Sequence, residues 1–186
     1  LAAVLVISGV VQAATSVVGP ILPLFIQSLT PDAARVASTT GLILGVTSVA
    51  AALSAAVVGR LSWRIGTERT LHVALAGAAL LVIPQAFSRT PGELLAFRTA
   101  GAVFLGATMP VTNALIALRA DRANQGSVFG LSSAINSAGW AIGPMLGAAI
   151  AVGAGYPPVF FVTAAGVAAT AIAAWVFVRR RDGPSS

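Results

Sequence analysis

A few side chains within the long apolar runs of this sequence are of types that bind other molecules. They are Gln12, Thr15, Asn113, Asn136 and Trp140. Amides and hydroxyls offer hydrogen bonds, and an indole offers an apolar wall that also attracts cations. Because polar groups in hydrocarbon usually face a bundle interior or a cavity, we expect these five residues to line a substrate cavity. Hydrogen bonding between helices is the alternative role.

Catalytic chemistry has little support in the sequence. An intramembrane hydrolase would need a nucleophile and a base at the same depth. Ser132 and Ser133 lie in "GLSSA", which lacks the Gly-x-Ser-x-Gly pattern, and the single histidine, His72, follows Arg69 within one turn. The absence of cysteine removes thiolate metal ligands and cysteine nucleophiles. We expect no catalytic residue, no metal and no cofactor, and we keep the hydrolase only as an alternative.

The composition indicates which solvent surrounds these residues. Of 186 residues, 57% are hydrophobic and 9% are charged, whereas a soluble domain carries about 25% charged residues. Much of the surface must therefore face a lipid bilayer. The formal charge is +6 and every basic residue is arginine. No aromatic-interleaved basic groove accompanies this charge, so we expect no nucleic-acid partner.

The uncharged runs predict an all-α membrane protein with six spans, since a spanning helix needs about 20 apolar residues. The run after residue 123 is too long for one helix, and "GAGYPP" at 153–158 divides it because glycine and paired prolines end helices. The chain starts at Leu1 without methionine or a basic leader, which suggests a piece of a longer protein. The predicted spans are approximately 3–29, 36–58, 70–88, 94–118, 125–152 and 157–178, followed by a basic tail at 179–186.

Arginine placement predicts the orientation. Eight of the eleven arginines fall on alternate connections and on the tail, and basic loops stay in the cytoplasm. Both ends of this segment should then be cytoplasmic, as an even number of spans requires, in a multi-pass protein of a bacterial-type inner membrane. The arginines on the predicted cytoplasmic side are Arg60, Arg64, Arg69, Arg119, Arg122, Arg179, Arg180 and Arg181.

The connection after the second span, "GRLSWRIGTER" at 59–69, carries a recognisable pattern. Its glycines suit a tight turn, and its arginines suit helix C-termini, where the dipole favours cations. The stretch resembles the loop signature of the major facilitator superfamily, G-x-L-x-D-R-x-G-R-[RK]. Trp63 replaces the usual acid, and Thr67 and Glu68 disturb the basic end, a departure that favours a C-terminal half. The signature positions are Gly59, Arg60, Arg64, Gly66 and Arg69.

Two further segments strengthen the resemblance. "GWAIGPMLG" at 139–147 contains the G-x-x-x-G-P-x-x-G string of drug antiporters in the fifth helix. "GPILPLFIQSLT" and "RTAGAVFLGATMPVTNALIA" resemble the first and fourth helices of such a half. The closest resemblance is to the drug:proton antiporter branch, which includes multidrug and tetracycline-type efflux proteins. We expect close helix packing through Gly139, Gly143, Pro144 and Gly147.

The resemblance implies the C-terminal six-helix half of a twelve-helix secondary transporter that exports small lipophilic or cationic drugs in exchange for protons. Its implied partners are the missing N-terminal six-helix half, the bilayer, a small-molecule substrate and protons. In this family the first, second, fourth and fifth helices of a half line the cavity, and the third and sixth face lipid. No acid lies within a predicted span, and the resemblance implies that the coupling acids are mostly in the missing half. The alternative is a self-contained six-helix homodimeric transporter or channel.

Two ionisable residues near span ends are assigned structural roles. His72 begins the third span and is interpreted as an interfacial histidine. Arg98 lies near one end of the fourth span, where its long side chain can reach the interface or pair with Glu93. Neither residue is expected to bind substrate.

Overall fold

The computed structural model describes residues 2–30 and 32–179, and this part of the chain contains α-helices but no β-strand. Five helices are long and apolar enough to cross a membrane, and the first span contains a shorter apolar helix. The predicted all-α membrane fold is confirmed. The helices are α1 (Ala2–Ser16), α2 (Leu22–Leu29), α3 (Ala33–Ile65), α4 (Thr67–Val82), α5 (Pro91–Arg119), α6 (Gln125–Ala154) and α7 (Pro157–Arg179), with 3₁₀ segments at Ile83–Phe87 and Arg122–Asn124.

The helices run between two ends of one bundle. At one end, Val4 of α1 lies near Ala174 of α7, Glu68 of α4 and Arg119 of α5, around one small pocket. At the other end, Phe25 of α2 stacks on Phe160 of α7 with ring centroids 5.1 Å apart. Helices α1 and α2 together therefore run the full length of the bundle, which gives six crossings.

The predicted first span, 3–29, is interrupted rather than one continuous helix. Residues 17–21 form a turn between α1 and α2. Pro20 and Pro23 have no N–H to donate to the carbonyls of Ser16 and Gly19, four residues earlier. The Ser16 carbonyl instead accepts from the Gly19 N–H at 3.2 Å. The missing donors explain why the helix breaks here.

Helix α3 extends beyond the predicted second span, 36–58, at both ends, and the stretch that follows that span is helical rather than a loop. Helix α3 continues through Gly59, Arg60 and Arg64 to Ile65. The prediction treated charge as a loop signal, but arginine is a good helix former and the residues from Gly59 to Ile65 contain no proline. The helix ends at Gly66, whose φ is +89°. Only glycine adopts such a conformation without strain, so a single residue separates α3 from α4.

The remaining predicted boundaries differ by a few residues for similar reasons. Pro84 lacks the donor that would continue α4, and the chain passes into the 3₁₀ segment. Thr90 accepts a hydrogen bond from the Glu93 N–H at 3.2 Å and starts α5 before the predicted residue 94. Gly155, with φ +81°, ends α6 before Pro157 begins α7. The predicted basic tail lies outside the described residues beyond Arg179.

The helices differ in how much of their surface this chain covers. In α4, half of the most apolar stretch is buried, whereas only 17% of the corresponding stretch is buried in α3 and in α6. Helix α4 packs on α5 and α7, and α1 packs on α6 and α7. The broadest uncovered helical surfaces therefore belong to the second and fifth spans.

Candidate functional site

The structure brings three of the five predicted cavity residues together. Asn113 of α5 and Asn136 and Trp140 of α6 line one open groove of about 370 Å³. We call this the α5–α6 groove. It is lined by Met109, Asn113, Phe129, Ser132, Ser133, Asn136, Ser137 and Trp140.

Helical periodicity explains how α6 supplies its part of the groove. Ser132, Asn136 and Trp140 recur every four residues and therefore lie above one another on one helix face. On α5, Met109 and Asn113 have the same spacing and face them. Both helices are regular through this region, so the four-residue spacing read from the sequence keeps these side chains on one face of each helix.

Asn136 has an unused hydrogen-bond acceptor. Its side-chain oxygen is buried and has no hydrogen-bond partner among the described residues. A buried, unsatisfied amide oxygen costs free energy unless something donates to it. Trp140, one turn further along α6, has 60% of its surface exposed. The groove thus places a polar amide beside an aromatic wall, which suits a lipophilic molecule carrying N–H groups or a positive charge.

Gln12 and Thr15 do not join this groove, contrary to the prediction that the five residues line one cavity. The Thr15 hydroxyl donates to the Val11 carbonyl at 2.8 Å and lines a different pocket. Gln12 packs with its Cβ towards Gly139, at the contact between α1 and α6. The sequence placed both residues on one face of the first span, but it did not reveal that α6 covers part of that face.

A seam of glycines joins α6 to α1. A Cβ added to Gly139 would lie 2.7 Å from the Gly9 carbonyl oxygen, and one added to Gly143 would lie 2.6 Å from that of Ala13. Ser16 also donates a hydrogen bond to the Gly139 carbonyl at 3.2 Å. Such close backbone approach is open only to glycine. Gly147 is buried in the same seam, and Pro144 lies within α6 without ending it.

A second pocket, which we call the Arg98 pocket, was not predicted from the sequence. It has a volume of about 270 Å³ and lies where α1, α3, α4, α5 and α7 converge. Arg98 and Gln85 line it together with the hydroxyls of Thr15, Thr47 and Thr163. The signal available in the sequence was Arg98 itself, an ionisable residue within a span, and the prediction assigned that residue a structural role.

Of the two structural roles considered for Arg98, pairing with Glu93 is not found. Glu93 accepts a hydrogen bond from the Arg89 backbone N–H at 2.8 Å, at the start of α5. Within the described part of the chain, Arg98 makes no ion pair or hydrogen bond. Its side chain lines a pocket that extends past Gly101 and Leu105, one to two turns further into the span.

The loop-signature residues surround the turn between α3 and α4. Gly59 lies in open helix surface, where an added Cβ would contact nothing within 4 Å. Gly59 therefore does not mark a close approach between helices within the described part of the chain. Arg60, Arg64 and Arg69 are exposed. The sequence did not reveal that Glu68 forms an ion pair with Arg119, which ties the start of α4 to the end of α5.

The residues considered for hydrolysis lie far apart. Ser132 and Ser133 line the α5–α6 groove, whereas His72 lines the small pocket beside Glu68 and Arg119 at one end of the bundle. The His72 Nδ1 atom lies 2.8 Å from the Glu68 carbonyl oxygen. No nucleophile–base pair is assembled from these residues.

Comparison with known proteins gives a consistent result. The model of the Major Facilitator Superfamily matches residues 4–186. The chain is 37% identical over 172 residues to proteins named Multidrug resistance protein MdtG from Salmonella dublin and from Salmonella typhimurium. The match covers 92% of this chain and 43% of each relative. The chain thus spans less than half the length of the curated relatives it matches.

Proposed function

Because the chain belongs to the Major Facilitator Superfamily, we propose that it forms the C-terminal six-helix half of a drug-exporting transporter. The observation that carries the proposal is the α5–α6 groove, where the unsatisfied oxygen of Asn136 lies beside the exposed indole of Trp140. The name of the relatives, Multidrug resistance protein, supports the same substrate class. The substrates we propose are small lipophilic or cationic drugs.

The uncovered surfaces of α3 and α6 support a missing partner half. Exposed apolar side chains line both helices, including Val49 and Leu53 of α3 and Ile142 and Met145 of α6. In transporters of this kind, two six-helix halves are related by an axis along the membrane normal, and substrate binds between them near the midplane. We propose that an N-terminal half covers these helices and completes the cavity.

We propose that the residue that couples transport to protons lies in the missing half. No carboxylate lines either the α5–α6 groove or the Arg98 pocket. The described acids lie near helix ends, at Asp32, Glu68, Glu93 and Asp121. A membrane carboxylate that accepts and releases the coupling proton must then come from outside this chain. We also infer that the protein catalyses no covalent reaction.

The proposed function is tested by dye efflux from proteoliposomes that contain the full-length parent. We expect rhodamine 6G, a lipophilic cation, to be expelled when a pH gradient is imposed and to be retained when the gradient is collapsed. Liposomes without protein are the control. If efflux does not respond to the pH gradient, transport is not coupled to protons. Equal efflux by this six-helix segment alone would favour the homodimeric alternative.

We propose that the chain is integral to a bacterial-type inner membrane with the arginine-rich end in the cytoplasm. Arg60, Arg64 and Arg69 lie at that end, and the positive-inside rule places such connections in the cytoplasm. Single cysteines replacing Trp63 and Gly92 should label from opposite sides of the membrane, since these exposed positions lie at opposite ends of the bundle. Labelling of both from one side would reject this topology.

A further inference from the structure

Arg98 lines the Arg98 pocket without a counter-charge. The pocket is formed by α1, α3, α4 with its 3₁₀ extension, α5 and α7, and none of its other lining residues is titratable. Ion pairs elsewhere use Asp32 with Arg35 and Glu68 with Arg119. The charge of Arg98 is thus uncompensated within the described part of the chain.

The position of Arg98 in α5 argues against a location of its guanidinium group at the membrane surface. Arg98 is seven residues into α5, so it lies roughly 10 Å along the axis from Pro91. The pocket that it lines continues deeper along the same helix, past Gly101, Ala102 and Leu105. It also reaches Thr47 and Ser48, which lie close to the middle of α3. A cation beside such a pocket is favourable only with an anion or water next to it.

The chemistry of the pocket selects the kind of anion. A guanidinium presents a planar fork of donors that matches a carboxylate through two parallel hydrogen bonds. The hydroxyls of Thr15, Thr47 and Thr163 also line the pocket. However, each of the first two already donates to a carbonyl of its own helix, at 2.8 Å in both cases, as does Thr163 at 2.9 Å. Arg98 is the one charged donor among the residues that line the pocket.

We propose that Arg98 is the anchor of a carboxylate-binding site within the membrane. The carboxylate comes either from an acidic side chain of the missing half or from a substrate that carries a carboxyl group. This inference rests on the proposed transport function and adds a charge requirement to it. It also makes the cavity of this half asymmetric, with an anion site in the Arg98 pocket and a cation-tolerant groove between α5 and α6.

The test uses the full-length parent and two related dyes. Rhodamine 19 carries a free carboxylate, and rhodamine 6G is its ethyl ester. Binding of each dye is measured in detergent, and the pH dependence of rhodamine 6G efflux is measured in proteoliposomes. The variants are Arg98→Gln and the matched control Arg89→Gln, an exposed arginine near the same end of the bundle that does not line the pocket.

The two sources of carboxylate give different results for Arg98→Gln. If the substrate supplies it, affinity for rhodamine 19 falls tenfold or more and affinity for rhodamine 6G stays unchanged. If the missing half supplies it, affinity for both dyes is retained, but the pH midpoint of efflux rises by about one unit or more. A neighbouring cation lowers the pKa of a carboxyl, so its removal raises that pKa. Arg89→Gln should show neither change.

Two results would overturn the proposal. One is unchanged affinity for rhodamine 19 together with an unchanged pH midpoint, which would leave Arg98 with no anion to bind. The other is an equal loss of affinity for both dyes without a change in the pH midpoint, which would indicate a distorted bundle. If Arg98→Gln does not fold, Arg98→Lys replaces it and is judged by the same criteria, with a threefold loss for rhodamine 19 expected because lysine cannot form the paired hydrogen bonds.

The test of the Arg98 site and the test of drug export can fail independently of each other. Dye binding in detergent reports on the Arg98 pocket even if the parent moves neither dye across a membrane. Absence of rhodamine 6G efflux by the unmodified parent would instead reject drug export and leave the binding result for Arg98 standing.

Discussion

Two faces of helix α6 differ in how closely the neighbouring helices approach them. The face with Gly139, Gly143 and Gly147 is buried against the backbone of α1. The face with Asn136 and Trp140 opens into the α5–α6 groove. The first face has no room for a single added carbon, whereas the second leaves a polar acceptor unused. The difference indicates that the glycine seam fixes the position of the residues that line the groove.

The largest effect is expected from a change in the glycine seam. Gly143→Leu places a Cβ 2.6 Å from the Ala13 carbonyl oxygen, so α1 and α6 must separate. Overpacking of this kind costs about 1–3 kcal/mol, occasionally more. We expect lower expression of the full-length parent and a clearly lower melting temperature in detergent, measured by a thermal shift assay.

Gly130→Leu is the matched control for this change. It alters the same helix at a position where an added Cβ meets nothing within 4 Å. We expect its melting temperature to stay close to that of the parent. If the two variants were equally stable, the contact between α1 and α6 would not be the close approach described above, and the contrast between the two faces would disappear.

A smaller effect, on binding alone, is expected from Trp140→Ala. The exposed indole supplies apolar contact and cation–π attraction worth about 0.5–2 kcal/mol. Affinity for rhodamine 6G should fall roughly twofold to thirtyfold by that estimate. The melting temperature should change little, because 60% of the side chain is exposed. Fluorescence titration and a thermal shift assay on the same preparation measure both.

Ile142→Ala is the companion to Trp140→Ala. Ile142 is 52% exposed on the same helix and does not line the groove. Its replacement should leave dye affinity unchanged. Equal losses of affinity in the two variants would show that general apolar surface on α6, rather than the groove, attracts the dye.

The contrast also explains what could be predicted from the sequence. Spacing alone identified both faces of α6, because residues four apart share a face of any regular helix. It did not predict the division of the first span, where Pro20 and Pro23 remove two helix donors. Nor could it place Arg98 in a pocket formed by five helices, since that depends on how distant segments pack.

Charge was the least reliable guide to local structure. Arg60 and Arg64 predicted a loop, yet they extend α3 to Ile65. Glu68 was read only as a departure from the family signature, whereas its ion pair with Arg119 joins two helices across 51 residues of sequence. Charged residues at a membrane surface are compatible with helix or loop, so only the glycine at 66, with its positive φ, marked the true turn.

The smallest effect, and the sharpest test of the groove face, is expected from Asn136→Leu. The Asn136 oxygen is buried without a partner, so its removal should not lower stability and should relieve an unsatisfied acceptor. A dye that donates to this oxygen should lose one hydrogen bond, worth about 1 kcal/mol or a factor of about five in affinity. Rhodamine 6G has N–H groups, whereas tetramethylrhodamine ethyl ester has none. Asn136→Leu should therefore lower the affinity for rhodamine 6G only, in contrast to Trp140→Ala, which should lower the affinity for both dyes.

If both dyes bind the leucine variant as they bind the parent, Asn136 does not contact substrate, and the aromatic wall alone defines the groove. A large loss of stability would mean that the side chain packs between helices, which would make the two faces of α6 alike.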